Sequence, residues 1–395
     1  MEPKLRFPEF NSNWTHDNLE NVAEIFDGTH QTPLYTKTGV QFVSVENIED
    51  IYKSEKYISH EEYDKYKNKP QINDILMTRI TAGVIGETAM VTKDVPLAYY
   101  VSLALIRCEK LFPSYVEKYI HSIQFRKELY KRIIHTAFPK KINLGDIGKC
   151  LVGITNEQEQ QKIAEFLSTI DIVIAKQKET VSAWEERKKG VMQKLFSQEV
   201  RFKADDGSDF PEWEEKKIDD LFYKVNERNN GQFGKDKWIS VAKMYYQDED
   251  KVTSNNIDTR TYVMRVGDMS FEGHPNKEFK YGRFVVNDIG DGIISELFPI
   301  YRHKENYILK YWKYAIQVDS IMQKIYRKSI TSSGASSNKL DDDDFKRQSI
   351  LVPCLAEQQK IADCLSSLDE VIETQKATLA AWEELKKGLL QQMFV

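Results

Sequence analysis

The sequence predicts an α+β protein: two pseudo-repeated α/β globular domains joined by two long antiparallel coiled-coil helices. Three observations predict it. The chain has 395 residues, more than the ~250–300 that one hydrophobic core fills, so two or more domains are expected. A 38-residue segment occurs twice, as EQQKIAEFLSTIDIVIAKQKETVSAWEERKKGVMQKLF over 159–196 and EQQKIADCLSSLDEVIETQKATLAAWEELKKGLLQQMF over 357–394, with 23 identical positions at an offset of 198. Within each copy the apolar residues recur at alternating steps of four and three, the period of a coiled-coil seam.

The remaining elements follow from the repeat. The first seam runs Ile163, Leu167, Ile170, Ile174, Gln177, Val181, Trp184, Lys188, Val191, Leu195, and the second runs Ile361, Leu365, Leu368, Ile372, Gln375, Leu379, Trp382, Lys386, Leu389, Met393. A helix of about 40 residues is about 60 Å long and must bury such a stripe. The other copy is its nearest partner, and a twofold relation between the copies requires them to run antiparallel. The seam residues Gln177, Gln375, Lys188 and Lys386 have two readings: long stems that snorkel at the edge of the stripe, or polar groups that fix register. Weaker matches extend the repeat. Trp14–Phe26 aligns with Trp213–Val225, Asp146-Ile147 with Asp344-Phe345, and Leu5-Arg6-Phe7 with Val200-Arg201-Phe202. The N-terminal residues 1–13 therefore complete a cyclic repeat, and the two chain ends are expected to be adjacent. The division is 1–155, 156–199, 200–352 and 353–395, the second and fourth being the helices.

In the first globe, 41–45 and 98–106 read as strands and 114–134 as a helix. Tyr307, Tyr311 and Ala315 repeat that helical signal in the second globe. Gly83-Val84-Ile85-Gly86 reads as a tight turn. Asp341–Asp344 fits no calcium loop and reads as an exposed cap before the last strand or a solvated charge run.

Composition excludes several classes. With 41% hydrophobic residues the chain is not wholly disordered. A net charge of −5 gives no bulk signal for nucleic acid, so any such surface must be local. Four scattered cysteines without a CxxC pair argue against a disulfide framework or a zinc knuckle and fit a reducing cytoplasm. The N-terminus lacks a signal-peptide pattern, and no apolar run is long enough to span a membrane. There is no GxxxxGK[ST], no Asn/Asp-Pro-Pro-aromatic motif, no HExxH and no GxSxG, so no catalytic residue and no metal site is assigned.

Local basic clusters remain. Arg126, Lys127, Lys131, Arg132, Lys140 and Lys141 lie within sixteen residues of the first globe. In the second, FEGHPNKEFKYGRF over 271–284 interleaves cations with aromatics, and 324–339 combines Lys324, Arg327, Lys328 and Lys339 with a serine-rich run. Hydroxyls and cations of this kind position phosphates and read base edges, although a chain with 30% charge also forms ordinary solvated clusters.

The two helices, their EQQKIA starts and WEE–KKG cores, and the unlike globes before them resemble the specificity (S) subunit of a type I restriction–modification system over essentially the whole chain. Asp27-Gly28-Thr29-His30-Gln31-Thr32-Pro33 resembles a recurrent opening of that family's target-recognition domains. Gly267–Gly273 followed by Tyr281-Gly282-Arg283-Phe284 resembles another class of them. The resemblance implies a non-catalytic subunit whose target-recognition domains, 1–155 and 200–352, each read half of a split DNA target. The helices would set the spacer. It implies double-stranded DNA, two modification (M) subunits and restriction (R) subunits as partners in the bacterial cytoplasm. S-adenosylmethionine would belong to M and ATP with magnesium to R, with no cofactor in this chain. The assembly would be an adenine-N6 methyltransferase and ATP-dependent endonuclease.

The candidate DNA-binding residues are Thr29, His30, Thr32, Arg79, Lys140 and Lys141 in the first globe. In the second they are Lys243, Tyr245, His274, Asn276, Lys277, Arg283, Ser332, Asn338 and Lys339. Gln160, Gln161, Ile163, Leu167, Trp184, Gln358, Gln359, Ile361, Leu365 and Trp382 are assigned to the helix seam and M-subunit docking, with the two tryptophans placed in helix packing. The rival reading is a cytoplasmic coiled-coil adaptor whose globes bind proteins; the basic–aromatic stretches favour DNA.

Overall fold

A computed structural model describes residues 2–276, 279–332 and 337–395. The chain divides into two compact units: Met1–Glu179 with Ala377–Val395, and Thr180–Lys376. Each unit therefore takes one globe and half of each long helix, a different partition from the four consecutive pieces expected above.

In unit 1 a four-stranded antiparallel sheet has the order Ala23–Asp27, Leu103–Cys108, Ile75–Thr78, Thr88–Met90. A smaller sheet places Val40–Val43 between Tyr57–Ile58 and Leu97–Tyr99. The stretch 98–106, expected as one strand, is two. Its residues pass from the small sheet to the large one through a turn in which Tyr100 N–H donates to Val43 O and Leu103 N–H to Tyr100 O. The expected helix 114–134 is likewise two, Pro113–Ile120 and Ile123–Arg132, because the Ser122 hydroxyl caps the second by accepting from Phe125 N–H at 3.2 Å. The Gly83–Gly86 segment is a tight turn, with Gly86 at φ +93° and its N–H donating to Thr78 O.

Unit 2 repeats the large sheet in the order Phe222–Val225, Ile300–His303, Met269–Glu272, Arg283–Val286. Helices Leu309–Ala315 and Asp319–Ser329 follow, as their counterparts do in unit 1. Asp341 caps the short helix Asp342–Lys346 by accepting from Asp344 N–H at 2.9 Å, the structural role expected for the aspartate run.

The long helices span Glu157–Phe196 and Leu355–Gln392. Their apolar stripes enter the cores of the globes. Ile163, Leu167, Ile170 and Ile174 join Leu389, Leu390, Met393 and Phe394 in the core of unit 1. In unit 2, Leu195 and Phe196 join Ile361, Ala362 and Leu365. The helix halves run antiparallel within each unit: in unit 1 Asp171 pairs with Lys386 at 2.5 Å and Lys178 with Glu383 at 3.0 Å, and in unit 2 Glu185 pairs with Lys376 at 2.9 Å and Lys188 with Asp369 at 2.6 Å. Every pair in one unit has its counterpart 198 residues away in the other. The seam lysines Lys188 and Lys386 thus end in ion pairs with the facing helix, a geometry compatible with the register reading.

The helix starts are clamped in the same way twice. Glu159 is fully buried and accepts from Arg6 Nε at 2.8 Å and Arg6 Nη2 at 2.9 Å. Glu357 accepts from Arg201 Nε at 3.1 Å and Nη2 at 2.9 Å. Arg6 precedes the first globe and Arg201 follows the first helix, so the N-terminal segment does in unit 1 what the inter-repeat segment does in unit 2. Leu5 N–H also donates to Gln392 O at 2.9 Å, placing the two chain ends side by side.

Candidate nucleic-acid interface

In unit 1 the strand Ala23–Asp27 ends in a loop that only glycine can begin. A Cβ on Gly28 would lie 2.5 Å from the Tyr100 carbonyl carbon. Thr29 then locks the loop to the small sheet, its N–H donating to Tyr99 O and its carbonyl accepting from Val101 N–H. The Asp27 carboxylate has two partners: Arg79 Nη1 at 2.5 Å and His30 Nε2 at 2.7 Å. Arg79 is 8% exposed, and its Nε also donates to Ile142 O at 3.3 Å. Arg79, a candidate DNA-binding residue, is thus a buried tie between the 27–30 loop and the segment carrying Lys141. His30 is the exposed end of this chain, with 70% of its side chain open. Thr29 is half-buried and Thr32 exposed on the same loop. Burial raises the Tyr99 phenol well above its ordinary value, and its O–H donates to Asp27 O at 3.0 Å, fixing the loop from beneath.

Lys140 and Lys141 form a short exposed strand against Ile80–Thr81, directly after Arg79. The basic cluster around them is thinner than the sequence suggests. Arg126 is spent on Glu87 and Ile85 O, and Lys131 and Arg132 both bind Glu128. Lys127, Lys140 and Lys141 make no ion pair among the described residues.

In unit 2 the strand Met269–Glu272 ends in a buried carboxylate. Glu272 Oε1 meets His274 Nδ1 at 2.5 Å and accepts from His274 N–H at 3.0 Å, presenting an imidazole with 63% of its side chain exposed. Gly273 allows close approach of the neighbouring strand, since its Cβ would fall 2.1 Å from Asn338 O, and Asn338 N–H donates to Gly273 O. Asn338 pairs with Ser332, and Lys339 with Thr331. Asn276 Oδ1 accepts from Phe279 N–H at 2.9 Å, and Arg283 lies over the Phe279 ring at 4.6 Å. Arg283 Nη2 donates to Ala242 O, so this half-buried guanidinium ties in the loop that carries exposed Lys243 and Tyr245. Eight of the nine candidates of the second globe fall in this connected network; Lys277 lies outside the described residues.

Sequence reading missed Asp27 and Glu272. Their signal was an acid three and two residues before a loop histidine, inside the family-like segments quoted above. Among the described residues no group of three or more His, Cys, Asp or Glu side chains could hold a metal, and no helix is long and apolar enough to cross a membrane.

The family described as Type I restriction modification DNA specificity domain matches this chain twice, over 11–182 and 211–383. The chain belongs to that family. Its fold is similar to the crystal structure of the type I restriction–modification system S subunit from M. genitalium (TM-score 0.57, 15% identity, 100% of this chain and 99% of that one). It is also similar to a type I R-M system structure described for its complex assembly and conformational transition (TM-score 0.57, 13% identity, 97% of each chain).

This specificity subunit buries most of the helix positions assigned to docking. Gln160 bridges Phe112 N–H and Thr155 O, and Gln358 bridges Ile308 N–H and Pro353 O, so both tie a helix start to its own globe. Ile163, Leu167, Ile361 and Leu365 are core residues. Trp382 packs half-buried on the core of unit 1, and half-buried Trp184 carries the Arg187 guanidinium over its ring at 5.1 Å. Gln161 and Gln359 are exposed, each bonded one turn along its own helix to Glu165 or Asp363.

Proposed function

We propose that this DNA sequence-recognition subunit reads a split duplex target, one half with residues 1–155 and the other with 200–352. The helices 156–199 and 353–395 would set the spacer and dock M subunits through exposed positions such as Gln161 and Gln359. The observation that carries the reading is a conserved frame with unlike faces. Lys140–Lys141 and Asn338–Lys339 stand 198 residues apart; the first pairs with Ile80–Thr81 just after the strand Ile75–Thr78, the second meets Gly273 just after the equivalent strand Met269–Glu272, and each globe also presents a histidine held by a carboxylate.

The chemistry divides naturally. Lys140, Lys141, Lys243 and Lys339 neutralise phosphates and set affinity and salt dependence. His30 and Thr32 on one face, and His274, Asn276 and Asn338 on the other, offer donors and acceptors for base edges. Arg79 and Arg283 hold these loops in place. Methyl transfer with S-adenosylmethionine and ATP-driven cleavage belong to the M and R subunits of a cytoplasmic complex.

The test is to map methylated adenines in host DNA with and without this gene, M being present in both. The reading expects one bipartite motif to appear only with the gene, and exchange of residues 1–155 to change only one half of it. A motif that is unchanged by loss of the gene, or changed in both halves by that exchange, rejects it.

A further inference from the structure

Unit 1 carries an aromatic ring that its own fold does not use. Phe138 is 92% exposed, at the tip of a loop whose base is fixed. Ile134 N–H donates to Lys141 O at 2.8 Å, and Lys140–Lys141 continues into the strand beside Ile80–Thr81. One leg is braced further by His135, whose ring lies 4.5 Å from that of Tyr130 and whose Nε2 meets Tyr130 O at 3.0 Å. The loop thus holds an apolar ring out in solvent, next to two lysines that make no ion pair among the described residues. An exposed phenyl ring flanked by unpaired cations fits a partner that is both polyanionic and rich in flat apolar faces, which is a nucleic acid.

We propose that the Phe138 ring packs against the bases of the half-site read by unit 1, as an apolar probe inserted while Lys140 and Lys141 hold the adjoining phosphates. This rests on the DNA-reading function proposed above and adds a residue to it. The position 198 residues on in the sequence is Ser336, which lies outside the described residues, so the probe is a feature of one reader and not of the scaffold. Apolar side chains contact thymine methyls or wedge between base steps, and both actions discriminate sequence.

The experiment uses the full chain assembled with M subunits. Binding is measured for the wild type, Phe138→Ala and Phe138→Trp on duplexes bearing both half-sites, either one alone, or neither. Phe138→Ala is expected to lower affinity roughly 5- to 100-fold wherever the unit 1 half-site is present. It should leave the other half-site and M-subunit assembly unchanged, and Phe138→Trp should restore binding. 2-Aminopurine placed through the unit 1 half-site should change its fluorescence with the wild type and not with Phe138→Ala. Unchanged affinity, equal loss on every duplex, or weakened M-subunit assembly would each overturn the proposal, the last by making Phe138 a protein contact. A wild-type complex without preference among the duplexes would instead remove the DNA-reading function itself.

Discussion

Replacing Arg6 by alanine strips a fully buried carboxylate of its counter-charge. Glu159 is 0% exposed and receives two charge-assisted bonds from that guanidinium, at 2.8 and 2.9 Å; in their absence Thr155 Oγ1 is its remaining side-chain donor. Removing one partner of a buried pair costs about 3–5 kcal/mol, because the surviving charge stays desolvated. For a unit of about 200 residues, each kcal/mol lowers Tm by about 2–4 °C, so Arg6→Ala should lower the melting of unit 1 by roughly 6–20 °C. Arg201→Ala should act likewise on unit 2, where the Trp213 indole remains bonded to Glu357 at 3.1 Å. Calorimetry at 0.15 and 1 M NaCl tests this, since a buried pair is little screened and the loss should persist in high salt. The double variant Arg6→Ala/Glu159→Gln should recover part of the loss by removing the stranded charge, and a chain starting at residue 14 should lose at least as much as Arg6→Ala. An Arg6→Ala variant melting within 2 °C of wild type, or a double variant no better than the single, would refute the view that residues 1–13 clamp the first helix.

Three further outcomes are expected. Arg79→Ala should leave both half-sites distinguishable but weaken reading of the unit 1 half-site by about 10-fold, with Arg79→Lys intermediate, because the Asp27–His30 pair loses its anchor; methylation-motif mapping and duplex binding would show this, and a loss confined to the other half-site would contradict it. Lys188→Glu should cost about 1 kcal/mol through the partly exposed Asp369 pair, and Lys188→Glu/Asp369→Lys should restore it; a double variant as unstable as the single would count against the register role of the seam lysines in chemical denaturation. Burial lowers the His303 imidazole from 6.5 to about 3, so its stabilising effect is complete above the unfolded value and is lost as pH falls from 6.5 towards 3. Between pH 7 and 5 that amounts to about 2 kcal/mol in unit 2, and His303→Gln should flatten this part of the urea-midpoint profile.

The helices and their seam were legible because a 3.5-residue period and a 198-residue repeat are local, countable signals. What the seam lysines do was not, because Asp369 and Asp171 lie on the other helix and only the folded chain brings them together. Two boundaries failed for tertiary reasons. Ala98–Ile106 is apolar but for Ser102 yet serves two sheets, and the 114–134 periodicity runs through a serine that caps a new helix. Among the candidates chosen by type and loop position, Lys140 and Lys141 are exposed, whereas Arg79 is buried, since nothing in its neighbourhood in sequence announces Asp27 as its partner.

The repeat separates what must be shared from what may differ. Glu159 and Glu357, Gln160 and Gln358, Asp171 and Asp369, Lys188 and Lys386 occupy equivalent positions and make equivalent bonds, and all of them attach a globe to a helix or a helix to its partner. At the proposed reading faces the equivalence stops. One histidine is held through Nε2 by an aspartate that leans on a buried arginine, and the other through Nδ1 by a buried glutamate, so the two rings turn different nitrogens outward. Substitutions on the faces should leave the clamps in place, because no clamp residue belongs to the 27–32, 138–141, 274–276 or 338–339 segments. A scaffold divided in this way lets either face change its target while the attachment of both is kept, and that independence is what reading two unlike half-sites with one chain requires.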